Sequence, residues 1–444
     1  MRIRDLGHYD VLVVGGGPAG FSAAIAAARN GARTALVEKY AMAGGAMTVM
    51  GNGSVDEFIN PHLSGNRMVI EGIAWEFVKR LHAMGYANVP DLNSDFGHDW
   101  QYSIKVNTVA AAKLLDDMLL EAGVSLYYLQ PLVEVETEQE NGLTRVTGAV
   151  ISTKAGLGRL TADFFIDATG DGDLCVWAGN DYELGGADGA LQPGTLRYYL
   201  NGSADAEGIK RGNAALAKKR AAGVLGDQDL LYNATFASIL EADGDNRNHV
   251  ELDSTDSDDR TRAEIDARRR LMLVSDTIRN ADTGVSIDAI AAETAPRESR
   301  RILGDGYMTA KDYLAGTVAP DAVCYTYWYI DIHEIEDQEE ASTRSVYLTD
   351  ERTPSIPLSA MRPKSLSNVY VAGRCISGDR ASNSAIRVKA SCMAMGEAVG
   401  TAAALGIKAS QNTTRALDVE FLRKTLSANG MIVPGIDSPA AFEL

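Results

Sequence analysis

Val11-Leu12-Val13-Val14-Gly15-Gly16-Gly17-Pro18-Ala19-Gly20 reads as a buried strand, a glycine turn and the opening of a helix. Both flanks agree with that reading. Ala19 to Arg29 are alanine-rich, with Phe21 and Ile25 at helical spacing, and Arg33 to Val37 make a second short strand ending in Glu38. Strand, glycine turn, helix and a second strand closing on an acid form the fingerprint of a dinucleotide site. Each part has a task. Gly15 permits the turn, Gly17 lets backbone approach a pyrophosphate, and Gly20 lets helix and strand pack closely. The helix N–H groups that follow Pro18 face the phosphates, and Glu38 is placed to accept hydrogen bonds from a ribose diol.

The chain has 444 residues, enough for more than one domain with its own core. Its net charge of −18 argues against a nucleic-acid surface, which needs basic patches. No uninterrupted run approaches the ~18–20 apolar residues of a membrane span. Met1-Arg2-Ile3-Arg4-Asp5 leads into the first strand almost at once, which leaves no room for a signal peptide and predicts a cytoplasmic protein. Cys175, Cys324, Cys375 and Cys392 show no CxxC spacing, so a redox disulfide, an iron–sulfur cluster and a zinc site all lack support, and no metal is expected.

Beyond Glu38 comes a glycine-bearing loop, Ala43-Gly44-Gly45-Ala46. Arg67 to Met84 read as a helix, and a second helix follows Asn107, a candidate N-cap, up to Ala122. Val124 to Leu129 read as a strand. Leu132 to Glu138, Thr144 to Thr153 and Leu160 to Ala168 then read as a β-meander, whose last strand runs into Asp167-Ala168-Thr169-Gly170-Asp171-Gly172-Asp173. From 186 to 355 the character changes. Polar helices are expected at Glu207 to Ala222 and Asp259 to Ala281, strands at Gln192 to Leu200 and Asp321 to Ile332, and a surface excursion at the acidic Glu241 to Asp259. The sheet returns at Asn368 to Gly373 and is followed by a long small-residue helix from Val388 to Leu405.

These pieces together resemble the FAD-dependent oxidoreductases of the glutathione-reductase-like superfamily. They look most like the bacterial branch related to fumarate reductase and succinate dehydrogenase flavoproteins. The resemblance rests on Gly15 to Gly20 with Glu38, Ala162 to Asp173, Pro296-Arg297-Glu298-Ser299-Arg300-Arg301, and Asn368 to Gly400, in the expected order. It implies an α/β fold: a Rossmann-like FAD-binding domain (a parallel sheet with a β-meander) from 1–185 and 356–444, with an α+β substrate domain inserted at 186–355. It implies non-covalent FAD, with Gly15, Gly17, Pro18 and Ala19 at the pyrophosphate, Glu38 at the adenosine ribose and Lys39 beside it. Gly44 and Gly45 would lie beside the cofactor, and Val133 would meet adenine through its backbone. Ala168, Thr169, Gly170 and Asp171 would line the dinucleotide, Gly373 and Arg374 would approach the ribityl chain, and Asn383 would lie within reach of the cofactor. Many relatives carry Asp where this chain has Arg374, so the ribityl contact departs from the pattern.

A nicotinamide-dependent relative would hold a second fingerprint. Gly156-Leu157-Gly158 lacks the third glycine and a following helix, and Gly185-Gly186-Ala187-Asp188-Gly189 has the wrong spacing. Hydride exchange directly between flavin and a small substrate is therefore expected, with an electron acceptor the sequence does not name. Candidate catalytic groups are His333, whose unperturbed pKa of ~6.5 suits proton transfer, and Arg300, Arg380 and Arg387, whose forks suit a carboxylate or polyoxygenated substrate. Two further readings stand beside this one. One is an FAD-carrying electron-transfer subunit of a larger complex, and the other a flavin-dependent RNA-modifying enzyme.

Overall fold

The computed structural model describes all residues except 1–2, 57, 97, 188, 227–228, 231–233, 243–247, 334–344 and 349–350. Its amino-terminal unit is β1 (Arg4–Val14), α1 (Pro18–Arg29) and β2 (Thr34–Glu38). The helix expected over Arg67 to Met84 is shorter: α2 spans Ile73–Ala83, while Arg67–Met68 pair with Ile59–Asn60 as a two-residue ladder. Gly72, at φ 70°, turns the chain out of helical geometry, and the Glu397 carboxylate accepts from Ile73 N at 2.7 Å to cap the helix start. α3 (Thr108–Glu121) begins as predicted, with Asn107 Oδ1 accepting from Val109 N and Ala110 N.

β3 (Ser125–Tyr128), β4 (Leu132–Glu140), β5 (Leu143–Thr153) and β6 (Gly156–Asp167) complete the middle of the sheet. The order is β3-β2-β1-β6-β5-β4. β6 serves two partners on one edge: residues 156–160 pair antiparallel with β5, and Phe165–Asp167 pair parallel with the last strand. Register decides where the site lies. Val14 stands opposite both Val37 and Asp167, so β1, β2 and β6 end together and release Gly15, Glu38 and Ala168 at one edge of the sheet. That is the switch point where open α/β sheets bind ligands. Gly156 to Gly158 lie on β6 and not at a strand–helix turn.

α4 (Ala206–Ala221), α5 (Phe236–Ala242) and α6 (Ser257–Asn280) pack with the antiparallel pair Tyr198–Gly202 and Val285–Ile290 around a second hydrophobic cluster. We call this layer the cap. The stretch Glu241 to Asp259 is not a surface excursion, although 243–247 lie outside the described residues. Asn248, His249 and Val250 are buried, and His249–Val250 pair with Gly194–Thr195. The strand expected over Asp321 to Ile332 is confined to Ala322–Tyr325. Its continuation leaves the ladder and packs Tyr327 and Ile330 into the main cluster.

β7 (Val369–Val371) leads to α7 (Lys389–Lys408). α7 is long and apolar enough to cross a bilayer, which its Ala and Gly content conceals on reading by eye, but 94% of its most apolar window is buried inside the protein. It lies against α1. A Cβ on Gly396 would sit 2.0 Å from Ala19 O and one on Gly400 2.2 Å from Ala23 O, so the backbones touch. Gly400→Ala is expected to cost about 1–3 kcal/mol of stability by forcing these helices apart. Denaturant unfolding of the apoprotein measures it, and an unchanged midpoint would refute the contact.

Candidate active site

At the shared strand ends a cleft of about 2240 Å³ opens between sheet and cap. A single small ligand occupies roughly 300–1,000 Å³, so this one has room for an extended dinucleotide and a second molecule. Its centre is the glycine turn. Gly15, at φ 96°, has Ala168 O only 2.3 Å from an ideal Cβ, and a Cβ on Gly20 would stand 1.7 Å from Gly15 O. A Cβ on Gly17 would point into open space, with nothing within 4 Å, so this residue presents bare backbone to the cleft. No side chain caps α1, so its first N–H groups remain for a ligand anion. α7 also begins at the cleft without a side-chain cap. These features fit the FAD implied by the sequence.

Glu38 is buried, with Oε2 accepting from Gly16 N at 2.6 Å and Oε1 from Tyr40 N at 2.9 Å. Burial raises its pKa, while those N–H groups and Lys39 pull it back. Each carboxylate oxygen keeps a lone pair for a ribose hydroxyl. Pro18, Ala19, Lys39, Gly45, Ala168, Thr169, Gly170, Asp171, Gly373 and Arg374 all line the cleft, as does Gly15. Three residues expected at the cofactor do not. Gly44 supports the turn from behind, donating from N to Gly16 O at 2.7 Å. Val133 is 44% exposed, and Pro131 and Leu132 line the cleft instead. Asn383 donates from Nδ2 to Arg374 O at 2.7 Å and steadies that loop.

The loop after β6 hangs on Asp167, whose carboxylate accepts from Thr169 N, Thr169 Oγ1 and Cys175 N at 2.8–3.1 Å. Next to it, Asp171 Oδ1 accepts from Arg374 Nη2 and from Ser254 Oγ, both at 2.8 Å. Burial pushes the Asp171 pKa up, but Arg374, the two serine hydroxyls of Ser254 and Ser299, and Lys39 hold it below the usual carboxylate range. Arg374 also donates from Nε to Gly170 O at 3.0 Å and from Nη1 to Pro296 O. Its fork is spent on protein groups.

The arginines expected to reach substrate divide sharply. Arg300 lies off the cleft and donates to Asp173 Oδ1 at 2.8 Å, with Tyr182 under its guanidinium. Arg380 and Arg301 are both held by buried Glu298, at 2.9 Å each. A carboxylate with 1% side-chain exposure needs two cations, which explains why these arginines are occupied structurally. Arg387 does line the cleft, donating to Asp331 O at 3.2 Å and standing 3.5 Å from Asp331 Oδ2.

His333 also lines the cleft, with Nε2 3.1 Å from Asp331 Oδ2. Burial pushes its pKa well below the ordinary histidine value; Asp331 opposes that, and Arg297 and Arg387 add to it. For Asp331 burial works upward, but His333, Arg387 and Arg297 outweigh it and keep the carboxylate ionised. Arg297 lines the same end of the cleft and escaped the sequence reading as a site residue, although it stands in a stretch that reading singled out. Its Nη2 donates to His249 Nε2 at 3.0 Å and its Nη1 to Pro193 O at 2.7 Å. Since arginine only donates, His249 carries its proton on Nδ1. The His249 and His333 rings meet edge to face at 5.6 Å. Lys389, whose Nζ donates to Ser54 O at 2.5 Å, adds a further cation. Cys375 is fully buried away from the cleft, its thiol pushed up by burial.

Residues 10–426 match the family described as FAD dependent oxidoreductase. No curated protein matches the chain. Among solved structures, a geranylgeranyl bacteriochlorophyll reductase-like protein from Thermoplasma acidophilum is 14% identical, over 95% of this chain and 84% of that one, at a TM-score of 0.44. The p-nitrophenol 4-monooxygenase of Pseudomonas putida is 13% identical over 95% and 88%, at 0.41. Mycobacterium smegmatis Sdh1 in complex with UQ1 is 13% identical over 92% and 70%, also at 0.41.

Glu38→Gln puts an amide NH₂ against a backbone N–H and removes the charge. Affinity for FAD should fall about 10–100-fold, and Glu38→Arg should abolish retention. Fluorescence titration of apoprotein with FAD decides this, and wild-type affinity in Glu38→Gln would refute the placement of the ribose.

Proposed function

The chain belongs to the FAD dependent oxidoreductase family, and from that premise we propose that it exchanges hydride directly between FAD and a small organic substrate held at the His333 end of the cleft. The observation that carries this is the buried His333–Asp331 pair in the wall of that cleft, at 3.1 Å. Bound FAD supplies the hydride acceptor or donor. The protein residues manage the accompanying proton and charge. Ionised Asp331 holds the His333 ring through Nε2 and stabilises its protonated form. In the oxidative direction a substrate C–H bond gives up hydride while its O–H or N–H proton passes to the His333–Asp331 pair; reduction runs the other way.

Arg297, Arg387, Lys389 and Lys105 outnumber the Asp331 and Asp56 carboxylates at this end of the cleft. That excess of cations supports a carboxylate or polyoxygenated substrate, while the net charge of −18 speaks against a nucleic-acid partner. The order of the motifs supports a place in the glutathione-reductase-like superfamily, near fumarate reductase and succinate dehydrogenase flavoproteins. The cap, within 186–355, is read as the substrate domain. Four buried cysteines outside any disulfide agree with a cytoplasmic location.

Anaerobic mixing with acids, polyols and amines should bleach the flavin with at least one class. His333→Asn should slow that bleaching by about 10²–10⁴-fold. Because burial lowers the His333 pKa, the base is already deprotonated at neutral pH. The bleaching rate is therefore expected to be level from pH 6.5 upward and to fall only in more acidic buffer. A rate that still climbs through pH 7 would show that another group is the base, and a flavin that no small molecule bleaches would favour an electron-transfer subunit.

A further inference from the structure

The cap segment Leu252 to Glu264 holds a position that substrate chemistry does not explain. Leu252, Ser254, Ser257, Arg260, Thr261 and Glu264 all line the cleft. The segment is internally stiff. Asp253 Oδ1 accepts from Thr255 N at 2.8 Å, Asp256 Oδ1 from Asp259 N at 2.8 Å, and Asp259 Oδ2 from Asp253 N at 2.7 Å.

Glu264 Oε1 accepts from Thr294 N at 2.5 Å within the cap, and two further ties reach the strand ends. Ser254 Oγ donates to Asp171 Oδ1 at 2.8 Å, just beyond the end of β6. Arg260 Nη2 meets Glu293 Oε2 at 3.2 Å, and the other Glu293 oxygen lies 3.8 Å from Lys39 Nζ, just beyond the end of β2. The sheet order places β1 between β2 and β6. Fastenings at the ends of the two outer strands therefore straddle the glycine turn that leaves the middle one.

We propose that residues 252–264 are a strap over the dinucleotide, closed by the Ser254–Asp171 and Arg260–Glu293–Lys39 fastenings, and that its opening limits both uptake and release of FAD. This goes beyond the proposed reaction and does not depend on the substrate. A gate has a kinetic signature that a simple ligand contact lacks. Weakening the fastening raises the open population, so association and dissociation accelerate together while affinity hardly moves.

Stopped-flow flavin fluorescence on apoprotein and holoprotein tests this. Ser254→Ala and Glu293→Gln are each expected to raise both rate constants roughly tenfold, the scale of one lost hydrogen bond to a charged group, with less than a threefold change in Kd. Arg279→Gln, which breaks the exposed Arg279–Asp276 pair at the far end of α6, serves as control and should leave both rates unchanged. Faster dissociation with unchanged association would make Ser254 and Glu293 plain ligand contacts and overturn the strap. Unchanged rates in both variants, or equal acceleration in Arg279→Gln, would overturn it as well.

Discussion

Close approach of backbone to backbone at the end of β1 is the constraint on which the rest of the structure depends. Gly20 has no space for a side chain because Gly15 O fills it, and Gly15 has none because Ala168 O fills it. The turn, the first helix and the loop after β6 are thus one solid. α7 extends that solid, since Gly396 and Gly400 seat against the carbonyls of Ala19 and Ala23. Such packing leaves few ways to deform, so a ligand meets preformed N–H groups with little ordering left to do.

Much of this was legible in the sequence because it is local. A glycine turn between an apolar strand and an alanine-rich helix, or an Asn ahead of a helix, announces itself within a few residues. The β-meander and two of the three cap helices, α4 and α6, were visible for the same reason; α5 was not. What escaped depends on contacts between distant segments. Asp331 and Arg387 are 56 residues apart, and Arg297 and His249 are 48 apart. Nothing in the run Pro296 to Arg301 tells which arginine faces the cleft. Glu298 settles it by claiming Arg301, on the strand Arg300–Ile302, and Arg380, at the start of the helix Arg380–Ile386. Ser254 sits in an acidic stretch whose composition suggests solvent, and only the buried Asp171 explains its place.

Charge follows a consistent logic across the cleft. Each buried acid has an identified stabiliser: backbone N–H groups for Glu38 and Asp167, Arg374 for Asp171, and Arg387 with the His333 ring for Asp331. Burial of an ion is tolerable only with such partners. Arg387 and Lys389 then collect where α7 begins, beside the His333–Asp331 pair.

Arg374 ties the loop after β6 to the cap. An acceptor-only side chain such as Asp could not join the three carbonyl and carboxylate groups that Arg374 reaches. Its guanidinium binds Gly170 O, Asp171 and Pro296 O, which belong to the loop after β6 and to the segment leading out of the cap. Asp171, neutralised in this way, is free to accept a second bond from Ser254 without an unpaired buried charge. Arg374 therefore forms a junction between sheet and cap.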